Sequence, residues 1–288
     1  MQNSALLPQT FPVPSRGVCY PTDFSQDSFV AFDHALRIAL NFKTALDITH
    51  AEPKNDQAPS RWYPDPVAAL KKWEVIPKDG GDVEAVATGL TWRRSVQVGK
   101  PAVDAIIDEL EARPADLIVM TTYLREGISR VLYGTVAEPL ARKAHLPLLI
   151  IPPQARRFVS ELGEVDLSRI LVPIAHEPSP QVAVDYAAAF ARGMGVQELE
   201  LATLWAGDAT KVPYVYHPQQ EGWTTRSWTG TNSVVEEIVS TAKSWKAQLI
   251  VMTSEGRQGV TDRMFGSTVE QVLHRSPCPV MILPVLPP

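Results

Sequence analysis

From Ser25 to Asn41 the apolar residues Phe29, Phe32, Leu36, Ala39 and Leu40 recur every three or four positions, which predicts a helix with one buried stripe. Pro180 to Met194 repeats the pattern with Val182, Val184, Tyr186, Ala189 and Phe190. Val103 to Leu110 and Val234 to Ala242 predict a second pair of helices, and the segment from Ser267 or Thr268 to His274 predicts another. Leu117–Met120 and Leu249–Met252 are continuous apolar runs of strand length, as expected of strands covered on both faces. Each half therefore reads strand, helix, strand, then strand, helix, strand, helix, strand. Such alternation predicts α/β architecture with parallel sheets and right-handed crossovers.

The two halves are copies of one unit. The register that carries Leu117-Ile-Val-Met-Thr-Thr122 onto Leu249-Ile-Val-Met-Thr-Ser254 also carries Arg125 onto Arg257, Gly127 onto Gly259, Gly134 onto Gly266, Glu138 onto Glu270, Pro147 onto Pro279 and Pro152 onto Pro284. A run of matched Gly and Pro positions settles the architecture before any local assignment does. The beginnings of the halves match in a different register, with Val18-Cys-Tyr-Pro21 on Ile170-Leu-Val-Pro173. The first half thus holds about twenty extra residues after its second strand, which include a short helix near Val67 to Trp73. In the second half a Pro-, Gly- and Trp-rich loop, Lys211 to Gly230, is expected in their place. The reading gives domains at 1–153 and 168–288, joined by a linker at 154–167. The last strands, Pro147–Ile151 and Pro279–Leu283, are expected to pair antiparallel and cover each other's edges.

Composition narrows the function classes. A chain of 288 residues with 45% hydrophobic and 20% charged residues has material for two cores. A net charge of −5 offers nothing that draws nucleic acid or anionic membrane. The longest apolar runs, such as Leu146 to Ile151, are far too short to span a bilayer, and Met1 to Gly17 lacks the pattern of a secretion signal. Cys19 and Cys278, one beside a strand of each half, read as buried reduced thiols, which places the chain in the cytoplasm.

Ligands of open α/β sheets bind beyond the carboxyl ends of the strands, where the strand order reverses. The stretch after Met252 reads Thr253-Ser-Glu-Gly256-Arg257-Gln-Gly259 and continues to Gly266-Ser267-Thr268, where a helix begins. Glycines allow backbone N–H groups to approach an anion, and a helix opening on Gly-Ser presents free N–H groups and a hydroxyl. No Lys-Ser/Thr pair follows, so this is not a Walker loop.

This segment resembles the nucleotide loop of universal stress proteins, with Gly256 and Gly266-Ser267 at the family's spacing and Thr253 in place of its first glycine. The tail from Glu270 to Pro284, Pro21-Thr-Asp-Phe-Ser25 and Thr49-His50 also resemble the family's last helix and strand, its first strand end and its second strand end. The resemblance implies two five-stranded, Rossmann-like domains of the adenine-nucleotide hydrolase-like class, paired through their last strands. It implies a stress-response regulatory protein whose ligand, where there is one, is ATP or another adenine nucleotide, with or without Mg2+. The implied contacts are Pro173, Ile174, Ala175, Met252, Thr253, Gly256, Arg257, Gly259, Gly266, Ser267 and Thr268 in the second half. In the first half they are Thr22, Asp23, Thr121, Gly134 and Thr135.

Neither half carries the whole set. The first keeps Asp23, the residue the family places near adenine and ribose, but has Thr121 and Leu124 where the loop glycines belong. The second keeps the glycines but has Ala175 at the Asp position. Each set belongs to its own sheet, so the two are not expected to add up to one site. Bland readings stand beside these: Gly134 and Gly266 as turn glycines, Asp23 as an acid near a helix start, His50 as packing at a strand end, and His176-Glu177 as a solvated loop pair. Trp223 to Trp228 could stack a base or seal a core edge. No Gly-x-Ser-x-Gly elbow, Cys-x-x-Cys pair or closely spaced histidines occur, so neither a dedicated enzyme nor a metal site is expected. The alternatives left open are a nucleotide-binding regulator, with an unknown protein partner and scope for homodimers, and a scaffold that binds no nucleotide or takes an apolar ligand.

Overall fold

The computed structural model describes residues 10–52, 63–121, 136–255 and 267–285. In the first half, strands β1 (Val18–Thr22), β2 (Ala45–Glu52), β3 (Thr91–Val98), β4 (Leu117–Thr121) and β5 (Leu148–Ile151) alternate with helices α1 (Gln26–Asn41), α2 (Pro66–Lys72), α3 (Asp82–Ala87), α4 (Ala102–Ala112) and α5 (Ala137–Ala144). The second half follows with β6 (Arg169–Ile174), α6 (Pro180–Gly193), β7 (Leu199–Ala206), β8 (Trp223–Gly230), α7 (Val234–Ser244), β9 (Leu249–Glu255), α8 (Ser267–Arg275) and β10 (Val280–Val285). Helices α1, α4, α6, α7 and α8 form where the apolar spacing predicts them. Ser25 starts α1, its side chain accepting the Ser28 N–H at 3.2 Å and satisfying one of the donors a helix start leaves free.

All ten strands join one sheet in the order β3-β2-β1-β4-β5-β10-β9-β6-β7-β8. Within each half every pairing is parallel, and the halves meet where β10 pairs antiparallel with β5, Met281 opposite Leu149. Backbone hydrogen bonding across the two last strands joins the five-stranded halves, as the expected antiparallel pairing of these strands implies. The candidate sites still do not merge. Antiparallel pairing sends the carboxyl ends of the two sets of strands to opposite edges of the sheet.

The pleat sends alternate residues to opposite faces. Val18 and Tyr20 of β1 enter a core with α1, α2 and α6, while Cys19 faces a second core with α4, α5, α7 and α8. Leu36, Ile118, Leu140, Phe158 and Phe190 are among the side chains wholly removed from water. Each such residue contributes about 1.5–3 kcal/mol of burial.

Two expectations change. Part of the stretch expected as loop, Lys211 to Gly230, is the edge strand β8, in parallel register with β7 from Leu199↔Trp223 to Ala206↔Gly230. An edge strand pairs on one side only, so its polar Thr, Arg and Ser residues are no obstacle. The residues expected to serve as a linker are built into the seam between the halves. Phe158 is buried with His34 on one side, at 4.5 Å between ring centroids, and Phe190 on the other, at 6.4 Å. Phe42 stacks on Phe190 at 5.9 Å, and Asn41 Nδ2 donates to the Met194 carbonyl at 2.8 Å. Arg156 donates its N–H to the Pro277 carbonyl and its guanidinium to the carbonyls of Ala242 and Ala247.

Candidate functional site

In each half the strand order reverses beside the first strand, and there the sheet opens. β1 pairs with β4 only at Val18↔Leu117 and Cys19↔Ile118, although both strands run on. β6 pairs with β9 only at Ile170↔Leu249 and Leu171↔Ile250. Past these residues the neighbours part, leaving a crevice at the switch point of the kind that holds ligands in open α/β sheets. Pro173 and Ile174 lie along one wall of the second crevice, and Met252 and Thr253 along the other. Ala175 follows, exposed, and Ser267 and Thr268 open α8; a helix N-terminus is a favourable place for an anion. Gly256, Arg257, Gly259 and Gly266 lie outside the described residues, as do Gly134 and Thr135 of the first half.

The first crevice is furnished differently. Thr22 is buried and its hydroxyl is engaged within the chain, with Tyr20 Oη at 3.1 Å, Ser28 Oγ at 3.1 Å and the Phe24 N–H at 3.1 Å. Asp23 is exposed, and its carboxylate accepts the Ser25 N–H at 3.1 Å, an Asx turn that leads the chain into α1. Thr121 is buried at the end of β4. Phe24 adopts a left-handed φ of 62°, unusual for a residue with a Cβ, and its ring returns over the strand ends. It lies against His50 at 4.2 Å, and Tyr63 meets it edge-on at 4.9 Å. His50 Nδ1 donates to the Thr22 carbonyl at 2.8 Å, and Tyr63 Oη donates to Ser95 O at 2.9 Å. This aromatic trio lies at the ends of β1 and β2.

At the matching place of the second half the residue types are exchanged. His176, in the position of Phe24, sets its imidazole edge against the indole of Trp205 at 5.0 Å. Trp205 pairs with Ile174 as His50 pairs with Thr22. Trp205 is half-buried and donates Nε1–H to Asp208 O at 3.0 Å. Sequence reasoning missed Trp205; the signal available was the strand-end position equivalent to His50. Trp223 and Trp228 do seal core edges: Trp223 packs on the first core under the Arg192 guanidinium, and Trp228 meets Trp245 edge-on at 4.9 Å.

Ser227 Oγ lies 3.4 Å from His217 Nε2, a pairing with the outline of a nucleophile and base. Among the described residues the buried His217 Nδ1 atom has no hydrogen-bond partner, so no third group there orients the ring. Thr203 and Ser227 pair their hydroxyls beneath it at 3.1 Å; the corresponding strand positions of the first half, Ile48 and Arg94, carry no hydroxyl. Among the described residues no cluster of three or more His, Cys, Asp or Glu side chains gathers that could hold a metal ion.

The universal stress protein family model matches residues 15–152 and 214–284. The chain belongs to the universal stress protein family. The two matched regions fall one in each half of the sheet, and the second begins downstream of β6 and α6, the part in which Ala175 replaces the acid. A universal stress protein of Methanocaldococcus jannaschii is 32% identical over 144 residues, covering 46% of this chain and 80% of that protein. A universal stress protein of Mycobacterium tuberculosis strain H37Rv is 26% identical over 185 residues, covering 58% of this chain and 61% of that protein. The crystal structure of a universal stress protein from Archaeoglobus fulgidus superimposes with a TM-score of 0.58 at 20% identity, covering 94% of this chain and 98% of that one. A universal stress protein structure from Pseudomonas aeruginosa gives 0.61 at 17% identity, covering 93% of both chains. These likenesses establish the tandem stress-protein fold. Among the described residues no helix is long and apolar enough to cross a membrane.

Proposed function

We propose that this universal stress protein is a cytoplasmic stress-response regulator that binds one adenine nucleotide per chain, in the crevice beyond β6 and β9. The observation that carries the reading is the parting of β6 from β9 after Leu171↔Ile250, the strand-order reversal at which open α/β sheets take ligands. The phosphates would meet the α8 N-terminus and the Gly256–Gly266 segment, with Mg2+ as their counter-ion, and Trp205 would offer the base a stacking face. Ala175 removes the acidic contact the family uses near the ribose, so affinity rests on the phosphate side. The first crevice, under Phe24, His50 and Tyr63, takes no base. Ligand binding then changes the surface around α8 that a protein partner reads, and catalysis is not its business.

The test is nucleotide extraction from protein purified without added ligand, combined with melting in excess MgATP. One adenine nucleotide per chain, or a rise in melting temperature, supports the proposal, and Ser267→Ala should reduce either. A chain that releases no nucleotide and shows no thermal response is the scaffold instead. The observation favouring that second reading is the His176 ring seated on Trp205, where a base would have to displace it.

A further inference from the structure

The two halves differ in what covers the outer face of their first helix. In the second half, Gln181 of α6 grips the loop after β7: its Oε1 accepts the Tyr216 N–H at 2.8 Å and its Nε2 donates to Tyr216 O at 3.0 Å. The same amide donates to Asp185 Oδ1 at 2.8 Å, so the carboxylate of this face is partnered within the chain. The register that sets Pro21 on Pro173 sets Phe29 on Gln181 and Asp33 on Asp185.

In the first half this arrangement is missing. Phe29 has no group with which to grip a loop and is 39% exposed. Asp33 is half-buried and, among the described residues, has no hydrogen-bond or ion-pair partner; burial pushes its carboxyl up to about 6 against the pull of Lys72 and Arg157. Between α1, α2 and residues 157–161 lies an open groove of about 420 Å3, within the size range of small-ligand sites. Val30, Phe32 and Ala69 line it with apolar surface. Lys72, on its rim, likewise has no ion-pair partner among the described residues, whereas Arg157 is drawn to Glu161 at 3.4 Å.

A carboxylate and an ammonium that attract each other across one partly apolar groove without closing a salt bridge complement a molecule that bears both charges and an apolar arm. We propose that this groove binds a small amphipathic zwitterion of the class of apolar α-amino acids, its ammonium on Asp33, its carboxylate on Lys72 and its side chain against Phe29 and Phe32. A half-buried carboxylate without a partner carries a desolvation cost that a cationic ligand group offsets. The site lies outside the α1 helix, apart from both crevices, and does not depend on the nucleotide reading.

Isothermal titration of the full chain with L-phenylalanine tests this. Saturable binding of one molecule per chain is expected. Asp33→Asn and Lys72→Met should each weaken it about tenfold. Ala68→Trp should block it by filling the groove without changing charge, and Asp185→Asn, in the second half, should leave it unchanged. 2-Phenylethylamine and 3-phenylpropionate, each lacking one charge, should bind at least about tenfold more weakly. Unaltered melting temperatures of the variants separate lost binding from lost fold. The proposal is overturned if neither phenylalanine nor leucine gives saturable heat up to its solubility. It is equally overturned if Asp33→Asn binds as well as the parent, or if the amine alone binds as well as the amino acid.

Discussion

The Phe24 ring lies against the His50 imidazole with centroids 4.2 Å apart, and the second half places His176 on Trp205 at the corresponding strand ends. The pair is kept while its members change places. In the first half the turn that supports it is locked by Thr22 and closed over by Tyr63, whereas the second leaves a half-buried indole at the end of β7. Base-on-aromatic stacking is worth about 1–3 kcal/mol. Trp205→Ala should therefore weaken ATP binding about tenfold or more, and Phe24→Ala should leave both affinity and stoichiometry unchanged. Titration with a fluorescent ATP analogue measures both; undiminished binding by Trp205→Ala would remove the indole from the site.

His34 couples the first half to the seam. It is fully buried, with Nδ1 donating to Val30 O at 2.8 Å and Nε2 accepting the Val159 N–H at 3.3 Å, an arrangement that requires the neutral ring. Burial lowers its pKa from 6.5 to about 4. The unfolded chain thus binds a proton between pH 6.5 and 4 that the folded chain refuses, so His34 makes stability fall as pH drops through that window. The full effect is about 3 kcal/mol. Asp33 next to it, raised from 3.8 to about 6, acts with the opposite sign between those values. Comparison with His34→Gln cancels the Asp33 contribution. Urea unfolding at pH 7 and pH 4.5 should show the stability difference between parent and variant shrinking at the lower pH, and a constant difference would contradict the assignment.

Gly163 turns the seam hairpin with φ of +74°, under the Trp73 ring, whose Nε1–H reaches Glu161 O at 3.1 Å. A Cβ here would enter the space of Trp73 and of the Arg37 guanidinium that rests on the same indole. Left-handed strain and overpacking act together, so Gly163→Ala should cost about 3 kcal/mol. Denaturant unfolding reads this directly, and a loss below about 1 kcal/mol would mean that the hairpin relaxes freely.

Asp116, with no exposed surface, accepts the N–H groups of Ser15 and Arg16 at 2.9 and 2.7 Å, and Arg16 Nε at 2.5 Å. Burial opposes its ionisation, but the Arg16 and Ser15 N–H groups outweigh it and hold the carboxyl below its usual 3.8. A depressed carboxyl stabilises the fold above its unfolded value and ceases to do so as pH falls through the folded one. Asp116→Asn should cost about 3 kcal/mol at pH 7, with the difference from the parent narrowing below about pH 4. A difference that stays constant down to pH 3 would contradict this.

Much of the architecture was legible before any coordinate. Helical and strand periodicity, read twice in matching registers, determined the duplication, the α/β class and the antiparallel pairing of the two last strands. These are consequences of local spacing and of edges that must be covered, and a linear chain records both. The same reading pointed to the ends of β6 and β9, where Pro173, Ile174, Met252 and Thr253 stand, because a parallel sheet puts its switch point there whatever the side chains.

What only the tertiary structure decided are relations between residues far apart in the chain. That residues 154–167 form a packed seam depends on Val159 reaching His34, 125 positions away. That Trp205 stands where His50 stands, that β8 is a strand despite its polar residues, and that Asp33 faces a groove while Asp185 is partnered all follow from which surfaces the fold brings together. Side-chain partnership is set by packing across the sheet and between the halves, and the one-dimensional pattern of apolar and polar residues does not carry it.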